Sequence, residues 1–86
     1  MATINDFIGN LDDVVGHWFD CYNDDDGSLY GRFIFLGMND AGHNAIFIDP
    51  KRVHGSPRVD WTIPRFGDNC VLVEDKEPAW TKDCLL

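Results

Sequence analysis

The chain has 86 residues, 44% of them hydrophobic, with six Phe, three Trp and two Tyr, and a formal net charge of −8. That length makes one domain over residues 1–86, and that apolar content excludes a disordered acidic tail. A core this small leaves little room for a deep ligand pocket, so function is expected on the surface.

The charge is unevenly spread. Residues 1–50 carry nine acids against Arg32 alone, whereas residues 51–86 balance six acids with six bases. A concentrated field of one sign attracts the opposite sign, which points to a basic partner or a cation.

Residues 4–22 place apolar side chains at Ile4, Phe7, Ile8, Leu11, Val14, Val15, Trp18, Phe19 and Tyr22. At helical spacing these fall within an arc of about 140°, which predicts one amphipathic helix with a buried face. Thr3 is its expected N-cap, with Asp6 completing a variant capping box. Gly9 and Gly16 fall on the opposite face, each costing about 1 kcal/mol against Ala. On that face Asp6, Asp13 and Asp20 repeat every seven residues, about 10.5 Å apart along a helix. Asp20 and the run Asp24–Asp26 gather at the negative end of the helix dipole, where stability alone favours Lys or Arg.

Asn23 to Ser28 is a turn by composition. Strands are predicted from Leu29 to Leu36, over Ala45–Ile48, from Arg58 to Ile63 and over Cys70–Glu74, with Met38 to His43 as a hairpin loop. In the third of these, Val59, Trp61 and Ile63 face inward while Arg58, Asp60 and Thr62 face outward. The last residues read either as a short helix from Pro78 or as an edge strand from Trp80 to Leu85. The expected fold is therefore α+β: one N-terminal amphipathic helix packed on a four- to five-stranded antiparallel sheet, open or curled into a barrel.

Catalytic and cofactor motifs are missing from the sequence: there is no G-x-S-x-G, no Gly-rich phosphate loop and no H-E-x-x-H. The acidic turn fails as an EF-hand, because aligning Gly27 with loop position 6 puts Tyr22 at position 1 and Phe33 at position 12. His17 and Cys21, one helical turn apart, lack a partner pair with zinc-ligand spacing. No enzyme, metal or cofactor is expected. On a helix His17 would lie between Asp13 and Asp20, which favours its protonated form and a pH-sensitive contact.

Cys21, Cys70 and Cys84 read as three free thiols, a Cys70–Cys84 bridge being the alternative. With no signal sequence or membrane span, a cytoplasmic location and no membrane partner are expected. Lys51, Arg52, Arg58 and Arg65, with His54, form a small basic stretch, but the overall charge argues against direct nucleic-acid binding. That stretch fits the acidic half of a second copy, so a homodimer is an alternative.

The carboxylates Asp6, Asp13, Asp20, Asp24, Asp25 and Asp26 are the expected partner-binding residues. They would dock on Lys and Arg of a larger basic protein that handles nucleic acid and inhibit it, with carboxylates in place of phosphates. In size, acidity and lack of enzymatic motifs the chain resembles small acidic inhibitors encoded by phages, including many anti-CRISPR proteins. The second reading is a small β-barrel binding or assembly module that self-associates or captures a peptide. An unrecognised enzyme is the third.

Overall fold

A computed structural model describes residues 1–39 and 41–80; Asp40 and residues 81–86, with the Cys84 thiol and most of the expected last strand, lie outside that description. Five strands run β1 (Trp18–Tyr22), β2 (Leu29–Met38), β3 (Asn44–Ile48), β4 (Arg58–Thr62) and β5 (Cys70–Leu72). They form one antiparallel sheet in the order β4-β3-β2-β1-β5.

The N-terminal amphipathic helix does not exist, so the α+β expectation is wrong. Residues 4–22 instead make two 3-10 turns, Ile4–Phe7 and Leu11–Val14, followed by β1. Gly9 and Gly16 show why, with φ of 97° and 85°, far from the roughly −63° of a helix. Both glycines reverse the chain rather than decorate a helical face. Gly16 is also clamped: its amide donates to the Phe35 carbonyl at 2.8 Å, and its carbonyl accepts from the Ala79 amide at 2.8 Å. A Cβ there would run into the Trp80 backbone carbonyl. Pro78–Trp80 is irregular rather than helical.

Trp18–Tyr22 then alternates as a strand must, with Phe19 and Cys21 fully buried and their neighbours half-exposed. Its pairing with β2 is a hairpin that continues past the strand end, where the Phe35 amide donates to the His17 carbonyl at 2.9 Å. Two registers shift along β2. Tyr30 is the extra residue opposite Cys21/Tyr22, and Leu36 the extra residue opposite β3. Bulges of this kind increase local twist.

The sheet curls around its apolar face. Phe19 of β1 and Phe47 of β3 stand 5.8 Å apart, centroid to centroid, although β2 runs between them. In a flat sheet such strands lie about 9.6 Å apart. Phe35 completes the trio, 6.0 Å from Phe19 and 5.5 Å from Phe47. Ile4, Val14 and Val15 from the N-terminal turns close the concave side over these rings. Cys70 lies not at a bridge but beside Cys21, its direct partner across β1 and β5, with the sulfurs 3.6 Å apart and both thiols free. The Cys21 thiol is pushed far up by its hydrogen bond to Cys70 and by burial, so it stays protonated.

Candidate functional site

The β1–β2 turn is built by its own side chains. The Asn23 amide donates to the Ser28 carbonyl at 2.8 Å, and Asp26 accepts from both the Ser28 amide (2.9 Å) and its hydroxyl (2.7 Å). These bonds hold the Asp26 carboxyl below the usual carboxylate range, the backbone bond first. Asp26 is therefore a structural member of the turn. Asp24 accepts from the Asn69 side-chain amide at 3.2 Å, which ties the turn to the β4–β5 connection. Asp25 is exposed and has no partner among the described residues.

Curling of the sheet brings this turn opposite β4. Between them lies an open cleft of about 370 Å³, lined by Asp24, Asp25, Tyr30, Asp60, Trp61 and Phe66 among others. The bulge at Tyr30 matters here, because it lets that ring meet Phe33 at 5.7 Å and Trp61 at 5.9 Å, both edge-on. Half of Tyr30 remains exposed. The Trp61 indole nitrogen is buried without a hydrogen-bond acceptor among the described residues. Phe66 already holds a cation on one face, with the Arg65 guanidinium carbon 4.8 Å from the ring centroid.

Asp60 borders the cleft at the strand edge, with its side chain on the opposite face of β4 from Trp61. Arg58 grips it in a two-pronged pair, Nε to Oδ1 at 2.7 Å and Nη2 to Oδ2 at 2.9 Å, which holds its carboxyl below the usual range. Three π-faces beside several carboxylates suit a cation. Aromatic quadrupoles and ionised oxygens attract the same sign, worth about 0.5–1 kcal/mol per exposed cation–π contact.

The six expected aspartates do not form one row. Asp24, Asp25 and Asp26 share the turn, and the first two line the cleft. Asp6 is spent elsewhere, accepting from the Thr3 amide at 2.8 Å in the first 3-10 turn. Asp13 is exposed on the second turn, and Asp20 pairs with Arg32 on the convex sheet face at 2.7 Å. The seven-residue stripe fails because it presumed the helix, and so does the placing of His17 between Asp13 and Asp20. With β1 extended, His17 and Cys21 also lose the one-turn spacing. No three His, Cys, Asp or Glu side chains are grouped to hold a metal among the described residues.

The basic stretch is largely engaged within the chain. Arg52 donates to the Ser56 carbonyl at 3.0 Å, Arg58 holds Asp60, and Arg65 covers Phe66. Sequence reasoning missed Asp60, Trp61 and Phe66 as site residues. Their only signal was the outward position of Asp60 in a short strand followed at once by a turn.

No protein-family model matches the chain, and neither a curated protein nor a solved structure is similar to it. No helix among the described residues is long and apolar enough to cross a membrane.

Proposed function

We propose that this chain is a small acidic interaction protein that binds a larger basic protein and inhibits it by occupying its basic surface. One observation carries the reading: the Asp25 carboxylate, without a partner among the described residues, shares a cleft with Tyr30, Trp61 and Phe66. Charge alone is diffuse, whereas charge beside aromatic faces selects a Lys or Arg side chain. The remaining exposed acids, Asp12 and Asp13 among them, add a long-range field that speeds encounter. If the covered surface normally binds nucleic acid, the carboxylates take the place of phosphates, each contact being ionic in both cases. A cytoplasmic setting belongs to this reading, since the thiols of Cys21 and Cys70 are free.

The test is a titration with oligo-arginine and with an arginine-rich nucleic-acid-binding domain at 50 and 300 mM salt. Changing Asp24 and Asp25 together to Asn is expected to weaken binding about tenfold at low salt, with less effect at high salt. A DNA duplex should exclude the protein from that domain. Affinity that survives both the double substitution and the added salt would overturn the proposal. Mass that rises with protein concentration, unchanged by the substitutions, would favour the self-assembling module instead.

A further inference from the structure

The sheet has two edges, and the chain covers only one of them among the described residues. At β5, Thr3 bridges to Val71 and the Leu72 amide donates to the Ala2 carbonyl at 2.9 Å. At β4 no strand lies outside. The orientation of its backbone follows from the bonds around it. The Ile63 amide donates to the His43 carbonyl at 2.9 Å, and the Asp49 amide to the Pro57 carbonyl at 2.8 Å. In the same register Trp61 faces Ala45 and Val59 faces Phe47. The odd-numbered residues of this stretch therefore bond to β3, and the even-numbered ones turn outward.

Two of those outward groups are satisfied locally: the Arg58 amide donates to the Ser56 hydroxyl at 3.2 Å, and the Thr62 carbonyl accepts from the Phe66 amide at 2.9 Å. The Asp60 amide and carbonyl and the Thr62 amide stand between these closures with no partner among the described residues. An exposed edge of this kind is a template for another strand.

The charge pattern chooses the strand. A second copy pairing edge to edge about Asp60 would set Asp60 opposite Asp60, but each is already paired with its own Arg58, so that position selects little. The selection comes from the other face of the edge, where Asp24 and Asp25 line the cleft and favour basic side chains. An added strand from a basic partner places one residue opposite Asp60. Its two neighbours in an extended segment then project to the other face, beside Tyr30 and Trp61 and toward Asp24 and Asp25. We infer that the outer edge of β4 accepts an extended, Lys/Arg-rich segment of the partner as a sixth strand, with the cleft receiving the side chains next to the one opposite Asp60. This rests on the basic-partner reading and deepens it, from attraction between surfaces to a backbone-paired complex.

Two nona-arginines separate the ideas: one ordinary, one N-methylated at every internal amide, which keeps all nine charges and removes the backbone donors. The ordinary peptide is expected to bind at least tenfold more tightly and to slow amide exchange at Asp60 and Thr62. Equal affinities, with no change in exchange, would overturn the added strand and leave the basic-partner reading standing. Binding of neither peptide at low salt would overturn both. A dimer of the free protein with those same amides protected would show that the edge belongs to a second copy, against the inference.

Discussion

The two sheet edges are closed to different degrees. β5 is sealed by backbone, because the first residues of the chain lie along it and the fully buried Ile4 anchors them. β4 is left open between two local closures, at the Arg58 amide and the Thr62 carbonyl, and carries the Arg58–Asp60 pair on its convex face. A backbone seal excludes every strand alike. An open edge beside an acidic cleft favours a basic strand over others, so the second edge discriminates where the first only closes.

The sharpest way to break this contrast is to loosen the seal. Ile4→Ala empties a fully buried position, which costs about 2–5 kcal/mol, and it also frees the segment that covers β5. The urea midpoint should fall accordingly, and amide exchange at Leu72 should rise more than at β2. If β5 stays as protected as before, the seal does not depend on that anchor.

The meander from β2 to β4 was legible because its alternation and its turn residues agree with each other. Val59 and Ile63 are buried where a two-residue period puts them, and Asn39 caps the hairpin loop through the His43 and Asn44 amides. The N-terminal segment was not legible, because one set of apolar positions satisfies two structures. Ile4, Val14, Val15 and Phe19 fit a helical arc and also fit two turns and a strand. The contacts that decide are distant in sequence: Phe35 takes both the Gly16 amide and the His17 carbonyl. The cleft was illegible for the same reason. Its acidic wall is one local run, but Trp61 and Phe66 reach it only through the curl of the sheet, which no local pattern encodes.

A smaller expected effect tests the open edge. Asp60→Val removes the carboxylate and leaves a β-branched residue on an outer strand edge. Stability should change by no more than about 1 kcal/mol, since the Arg58 pair is exposed. Self-association should rise, and sedimentation at increasing concentration should show mass moving toward a dimer. A variant that stays monomeric while still binding oligo-arginine would mean that the flanking closures alone exclude a second copy. Gly16→Ala is a control in the other region: its positive φ and the blocking Trp80 carbonyl should cost more than about 1 kcal/mol without affecting association.

The smallest effect is a difference in acid response. The Arg58 hydrogen bonds lower the Asp60 carboxyl in the folded chain below its unfolded value of about 3.9. A depressed carboxyl adds stability at every pH above that unfolded value, and the contribution is lost as pH falls through the folded one. The Leu72–Ala2 bond across β5 runs between amide and carbonyl and does not titrate. The gap in urea midpoint between the parent chain and Asp60→Asn should therefore be small and constant from pH 8 to about 5, then close below about pH 4. Amide protection, taken relative to the intrinsic exchange rate at each pH, should fall around β4 in that acid window before it falls at Leu72. A gap that persisted into acid would mean that the Arg58 pair is not what Asp60 contributes, and the β4 edge would owe its protection to the Ser56 and Phe66 closures.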